Sequence, residues 1–139
     1  METKFNFNSK VATNRSQSER LLALGLRKET ADMAIEPDTE STYEAYYYSA
    51  YPPSRRGIPA WSLGRLVEDL MPQTVTYRLN DYHLSLNLGE GMIGYFPPRM
   101  SARTRALEYF YGNDTILDDC ISCIEWLIKE GCFNKEYLV

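Results

Sequence analysis

Three cysteines near the C-terminus are the first candidates for chemistry, because Cys120 and Cys123 have the two-residue spacing of a redox or metal-binding pair. A zinc site would need a fourth ligand besides Cys132. The single histidine, His83, is expected on the polar face of a hairpin, whereas Cys120 belongs to the buried stripe of a helix. The sequence therefore predicts buried, unreactive thiols, with no metal and no cofactor.

The segment 89–94, Gly-Glu-Gly-Met-Ile-Gly, has the spacing of a dinucleotide-binding fingerprint and follows a predicted strand. That fingerprint needs a helix after the glycines, because the helix N-terminus holds the pyrophosphate. Here residues 93–97 instead predict a strand that stops at a proline, and Glu90 would repel phosphate. We interpret these glycines as a hairpin turn.

His83 and two pairs of adjacent acids are the remaining candidates for acid–base chemistry. The histidine lacks the partners of a Ser-His-Asp or Cys-His-Asn set. The pairs Glu68–Asp69 and Asp118–Asp119 point in different directions around their helices, so neither converges on one water or metal. No catalytic residue is predicted, and we expect a non-enzymatic protein.

Tyrosines concentrate between residues 43 and 51, and two arginines follow them. Because tyrosine gives a large contact area at low entropic cost, we predict a surface for self-association or for a protein partner here. Its members are Tyr43, Tyr46, Tyr47, Tyr48, Tyr51, Arg55 and Arg56. The alternative is a strand and loop that only cover the sheet.

Arginines beside aromatic residues form a second candidate surface, because guanidinium groups bind phosphate and rings stack on bases. Its members are Arg99, Arg103, Arg105, Tyr109, Phe110 and Tyr111. Alternatively, the arginines pair with the acidic helix that follows while the aromatic side chains fill the core. Fifteen basic against 19 acidic residues give a net charge of −4, so nucleic acid is the less favoured partner.

The elements that must position these residues form an α+β pattern. We predict helices over residues 16–24, 62–71 and 115–130, a helical turn from residue 30, a strand over 39–51, a loop over 52–59 and strands over 74–79, 82–88 and 92–96. Asn80–Asp81 is the expected hairpin turn, which pairs Leu79 with Tyr82 and Val75 with Leu86. The predicted fold is an antiparallel sheet of three to four strands packed on one face by helices.

A chain of 139 residues is the length of one domain, which we place at residues 16–139 after a flexible arm, residues 1–15. No run of apolar residues is long enough to span a membrane, and the N-terminus has no secretion signal. We therefore expect no membrane association and a cytoplasmic location.

Four segments together carry a resemblance to a known group of proteins. They are Ser-Glu-Arg-Leu-Leu-Ala-Leu-Gly-Leu at 18–26, Glu-Thr-Ala-Asp-Met at 29–33, Ile-Pro-Ala-Trp-Ser-Leu-Gly-Arg-Leu at 58–66 and Ile-Glu-Trp-Leu-Ile-Lys-Glu-Gly at 124–131. With a hairpin between the last two, this pattern resembles small proteins, without assigned activity, that are encoded by prophages and mobile elements of gut Bacteroides-type bacteria. The resemblance implies an accessory role in a phage or mobile element.

Overall fold

The computed structural model describes residues 12–39, 41–44, 57–98 and 105–139. Its elements are α1 (Arg15–Ala23), β1 (Met33–Ile35), β2 (Thr42–Glu44), β3 (Ile58–Ala60), a π-helix (Arg65–Leu70), β4 (Thr74–Tyr77), β5 (Asn80–Asn87), β6 (Met92–Phe96), β7 (Glu108–Tyr111) and α2 (Ile116–Lys129). The strands form two antiparallel sheets with the orders β2-β1-β3 and β4-β5-β6-β7. The predicted α+β class is confirmed; the second sheet and strand β7 were not predicted.

Helix α2 fills the core against the four-stranded sheet and matches the helix predicted over 115–130. Thr115 caps it, because its Oγ1 accepts the N–H of Asp118 at 3.3 Å while the Asp118 carboxylate accepts the N–H of Thr115 at 3.2 Å. Gly131, with a φ of 74°, ends it. The fully buried apolar side chains of α2 are Leu117, Cys120, Ile121, Cys123, Ile124 and Leu127.

Helix α1 begins at Arg15, one residue earlier than predicted, and Asn14 is its N-cap. The Asn14 side chain accepts the N–H of Gln17 at 2.8 Å, and Gln17 accepts the N–H of Asn14 at 2.9 Å. Thr13 is buried and its hydroxyl accepts the N–H of Trp61 at 3.0 Å. Residues 12–15 of the predicted arm therefore belong to the fold. Residues 1–11 lie outside the described residues.

The three-stranded sheet corrects two predictions. Residues 33–35, predicted as a helical turn, form β1, which pairs with β3. The Asp32 carboxylate accepts the N–H of Ser62 at 2.9 Å and its hydroxyl at 2.5 Å. These two bonds hold β1 beside β3. Pro59, predicted in a loop, pairs with Ala34 inside β3. An edge strand accommodates proline because one of its sides needs no backbone donor.

The predicted helix after Ser62 is present, and its residues Arg65–Leu70 are π-helical. The Ser62 hydroxyl accepts the N–H of Arg65, the first residue of the π-helix, at 3.1 Å. Trp61 and Leu66 are both fully buried in the main core. None of the helices in the described segments combines the length and apolar character needed to cross a bilayer.

The hairpin of β4 and β5 turns at Arg78 and Leu79 instead of the predicted Asn80–Asp81 link. Both turn residues have positive φ, 48° and 67°. Val75 consequently pairs with Tyr82 instead of the predicted Leu86, so the register differs by four residues from the predicted one. A shift by an even number of residues preserves the face of every side chain within the strands, so the predicted polar and apolar faces are kept, except that Arg78 and Leu79 lie in the turn.

Tyr95 on strand β6 explains the register of this hairpin. Its hydroxyl donates to the carbonyl of Pro72 at 2.7 Å, immediately before β4 begins. Leu84, which pairs with Tyr95, donates its N–H to the carbonyl of Gln73 at 2.9 Å. Strand β4 is thus held at its first residues, and the turn falls where the strand ends.

Candidate functional site

The four-stranded sheet has two unlike faces. The inner face packs on α2, where the Trp126 ring lies 6.1 Å from the Tyr95 ring and 6.4 Å from the Phe110 ring, centroid to centroid. The opposite side, which we call the outer face, is polar and aromatic and is mostly exposed. Its residues are Thr74, Thr76, Asp81, His83, Ser85, Asn87, Met92, Gly94, Phe96, Tyr109 and Tyr111.

Three rings lie side by side on the outer face at strands β6 and β7, and we call Phe96, Tyr109 and Tyr111 the aromatic row. Tyr109 and Tyr111 are two residues apart on β7, so their side chains leave the same face. Their rings stack with centroids 5.5 Å apart and planes at 15°, and the Phe96 ring lies 6.4 Å from that of Tyr109. Tyr109 is 45% exposed, and Tyr111 is more exposed. The row presents aromatic surface to solvent.

Gly94 brings strand β7 close to β6 beneath the aromatic row. It pairs with Tyr109, and a Cβ at Gly94 would lie 2.5 Å from the carbonyl oxygen of Glu108 and 2.7 Å from the Cα of Tyr109. Only glycine permits this approach. The last glycine of the 89–94 motif therefore serves strand packing, while Gly89 and Gly91 lie in the β5–β6 turn, as predicted.

Strand β7 lies at one edge of its sheet, with β6 as its hydrogen-bonded neighbour among the described residues. The carboxylate of Glu108 accepts the N–H of Tyr109 at 3.1 Å. An edge strand offers backbone donors and acceptors to an extended segment of another chain. The aromatic row thus lies on an edge strand, and the N–H of Tyr109 must leave the Glu108 carboxylate before it can pair with another chain.

A shallow cleft of about 510 Å³ continues the outer face beside the aromatic row. His83, Ser85 and Asn87 line one side of it, and Met92 and Phe96 line the other. His83 Nδ1 lies 3.3 Å from the hydroxyl of Thr74, and no other hydrogen bond of its ring is found in the described parts of the chain. The cleft can hold a side chain of a ligand that lies along β7.

Most of the predicted tyrosine surface falls outside the described residues. Tyr43 is half-buried on β2 and pairs with Ala34 of β1. The members outside the described residues are Tyr46, Tyr47, Tyr48, Tyr51, Arg55 and Arg56.

The second predicted surface is described in part, since Arg99 and Arg103 also lie outside those residues. Tyr109 and Tyr111 are on the outer face, whereas Phe110, between them, points inward toward α2. Arg105 is exposed and forms no ion pair within the described segments. The alternative pairing of this arginine with the acidic helix is therefore not found. Instead, Glu125 of α2 pairs with Arg20 of α1 at 2.8 Å.

The three cysteines are free thiols. Burial, reinforced by the Asp119 carboxylate, raises the pKa of Cys120 to about 12. Burial likewise raises the pKa of Cys123 above its usual range, and partial burial raises that of Cys132. With raised pKa values the thiols are protonated at neutral pH; Cys120 and Cys123 are buried, whereas Cys132 is partly exposed. No group of three metal-ligating side chains occurs among the residues described.

Sequence reasoning missed Gly94 and Phe96 as parts of this surface. A glycine inside a strand pattern is a known sign of close backbone approach, and the alternation of residues 108–111 is typical of a strand. These two signals together would have placed β7 beside β6. No family model, curated protein or solved structure matches the chain.

Proposed function

We propose that this chain is a non-enzymatic interaction protein that binds an extended segment of a partner protein along β7. The observation that supports the proposal is the exposed, stacked pair of Tyr109 and Tyr111 on an edge strand. Tyrosine is enriched in protein interfaces, and edge strands bind peptides through backbone hydrogen bonds while alternate side chains give specificity. Phe96 and the cleft beside it supply the side-chain contacts.

The charge of the outer face favours a protein partner over a nucleic acid. Asp81 belongs to this face and Glu90 lines its cleft, and the strand residues of the face include no lysine or arginine. Phosphate groups would be repelled by these carboxylates, whereas a peptide backbone carries no net charge. The net charge of −4 acts in the same direction.

Binding of single-stranded nucleic acid is the second candidate function. Exposed stacked rings are the platform on which such proteins stack bases, and Arg105 is an exposed cation close in sequence to β7. In this case binding depends on Arg105 together with Arg99 and Arg103 and weakens steeply with salt.

The biological setting that we propose is an accessory role in a phage or mobile element, supported by the sequence resemblance described above. A cytoplasmic location is supported by the three free thiols, because such cysteines persist in reducing compartments.

Selection from a displayed library of random peptides tests the proposal. A selected peptide should bind a Tyr109→Ala/Tyr111→Ala variant at least about tenfold more weakly than wild type, because interface tyrosines are frequent hot spots. The matched control is Tyr77→Ala, which removes a tyrosine of similar exposure, 47%, from outside the outer face. Equal affinities for all three proteins would overturn the proposal.

The same titration with single-stranded DNA and RNA separates the two candidate functions. Binding that falls with salt and disappears in an Arg99→Ala/Arg103→Ala/Arg105→Ala variant would favour nucleic acid. No binding at low salt removes that candidate.

The tyrosine segment 43–51 is tested by a third variant, Tyr46→Ala/Tyr47→Ala/Tyr48→Ala. Under our proposal this variant retains the selected peptide. Loss of the peptide here, with retention by Tyr109→Ala/Tyr111→Ala, would assign the contact to the segment and not to β7.

A further inference from the structure

Leu79, at the turn between β4 and β5, combines two unfavourable features. It is 99% exposed, although it is a large apolar residue, and its φ of 67° is one that residues other than glycine, asparagine and aspartate adopt rarely. The side-chain amide of Asn80 donates to the carbonyl of Arg78 at 3.3 Å within this turn, but the Leu79 side chain stays exposed. Strained backbone and exposed apolar side chains are both retained at interaction sites.

The two residues that follow would form a turn with less backbone strain. Asn80 and Asp81 tolerate positive φ, yet both lie in β5, and Arg78 and Leu79 make the turn. The guanidinium carbon of Arg78 lies 5.2 Å from the centroid of the Tyr77 ring. The tip of the hairpin therefore presents the exposed Leu79 next to Arg78, whose guanidinium group lies over the Tyr77 ring.

A cleft of about 690 Å³ lies beside this turn, and its volume is in the range of ligand pockets. Its lining is mainly aromatic and apolar, with two charged groups. The chain's own Leu79 and Asn80 line part of it, together with Tyr77, Tyr82, Pro97, Pro98, Leu107, Asp81 and Arg105. Such a surface accepts an apolar side chain such as leucine.

The two charged groups make the cleft self-complementary. Arg105 and Asp81 both line it, and neither forms an ion pair in the described part of the chain; Asp81 accepts only the hydroxyl of Thr76, at 2.6 Å. In a two-fold interface the same patch of each copy faces its equivalent, so a patch with one cation and one anion can pair with itself.

We propose that two copies of this chain form a symmetric dimer in which Leu79 of each copy enters the cleft of the other. Arg105 of one copy then faces Asp81 of its partner. Asp81 is the cleft residue that belongs to the outer face, but Phe96, Tyr109 and Tyr111 do not line the cleft, so the aromatic row stays free in this dimer. The inference is thus independent of peptide binding along β7.

Sedimentation velocity over a concentration series, from low micromolar to millimolar, tests the dimer with a Leu79→Asn variant. Each dimer loses two buried leucine side chains, so its dissociation constant should rise by about a hundredfold or more. Asparagine accepts positive φ, so the melting temperature of the monomeric variant should equal or exceed that of wild type. Unfolding of the turn would lower it instead.

The matched control is Leu88→Asn, which changes an exposed leucine, 66% accessible, in the turn between β5 and β6. This variant should dimerise like wild type. A wild-type chain that stays monomeric at millimolar concentration, or a Leu79→Asn variant that dimerises as tightly as wild type, would overturn the proposal. A monomer that uses Leu79 to bind a different protein would overturn it as well.

A charge-reversal cycle tests the two-fold arrangement. Arg105→Asp and Asp81→Arg should each weaken dimerisation, and the double variant should restore it. Failure of the double variant to recover the dimer would overturn the arrangement. The Tyr109→Ala/Tyr111→Ala variant should dimerise normally, so failure of either proposal can be told apart from failure of the other.

Discussion

The two faces of the four-stranded sheet carry aromatic residues in opposite circumstances. On the inner face Tyr95 is fully buried, its ring lies against Trp126 and its hydroxyl donates to a backbone carbonyl. On the outer face Tyr109 and Tyr111 stack on each other and remain exposed. The residue type is the same, but the inner tyrosine contributes to stability and the outer pair offers contact surface. Composition alone does not separate these two roles, whereas position on the strand does.

The comparison predicts that substitutions on the inner face reduce stability, while those on the outer face reduce binding. The following variants test it in order of expected effect on the free energy of unfolding.

The largest effect is expected from Ile93→Ala, which leaves a cavity on the inner face where the side chain is fully buried. It should lower the free energy of unfolding by about 2–5 kcal/mol. The control is Met92→Ala, one residue earlier and on the outer face, which should cost less than about 1 kcal/mol. Urea unfolding measures both, and equal losses would show that the faces do not differ.

Gly94→Ala should be next, because its Cβ would lie 2.5 Å from a backbone oxygen of β7, an atom that cannot move aside. We expect a loss of about 1–3 kcal/mol and weaker peptide binding, since β7 carries the aromatic row. Gly89→Ala is the control, because its nearest neighbour, a side-chain oxygen of Asn87, is 3.4 Å away. A Gly94→Ala variant as stable as Gly89→Ala would contradict the close approach of the strands.

Tyr95→Phe removes the hydroxyl that donates to Pro72 and should cost about 1–3 kcal/mol, because the part-buried carbonyl loses its partner. Hydrogen exchange should also speed up along β4, whose register this bond helps to fix. Tyr109→Phe, on the exposed face, should stay within about 0.5 kcal/mol of wild type. Unchanged exchange in β4 would remove our explanation of the register.

The smallest effect on the free energy of unfolding at neutral pH is expected from the buried thiols of α2, beneath the inner face. The pKa of Cys120 is about 12 in the folded chain against an ordinary value of 9.0. Between these pH values the unfolded chain binds fewer protons at this thiol than the folded chain. The free energy of unfolding should therefore fall as pH rises, by up to about 1.4 kcal/mol per pH unit for this group. Below pH 9 the thiol should cause no such slope.

A Cys120→Ala variant isolates that contribution, because it lacks the titrating group. Its stability should fall less steeply with pH than that of wild type over the same interval. Parallel curves for the two proteins would show that the thiol is not shielded from water.

The sequence predicts the parts of this fold that depend on local pattern. Helix α2 has a full apolar stripe and a capping threonine, and strand β6 was predicted with the bounds that the structure has. Alternation also predicted the two faces of the β4–β5 hairpin. Each of these signals lies within one element, so the residues that make it are already neighbours in the chain.

The predictions that failed depend on contacts between distant residues. The hairpin register follows from the bond between Tyr95 and Pro72, and strand β1 from the bonds between Asp32 and Ser62. Neither bond has a signature in local composition. For the candidate site, Tyr109 and Tyr111 were predicted only as part of the alternative nucleic-acid surface, and their edge-strand setting depends on the approach at Gly94.

The most direct test of the binding face is an amide chemical-shift map of isotope-labelled protein titrated with the display-selected peptide. We predict shift changes concentrated in β6, β7 and the outer-face cleft, with the largest at Tyr109, Phe110 and Tyr111. The same titration of Tyr109→Ala/Tyr111→Ala should leave these amides unmoved. Changes concentrated instead in α1 and the three-stranded sheet would contradict the central claim that the outer face and its β7 edge are the binding surface.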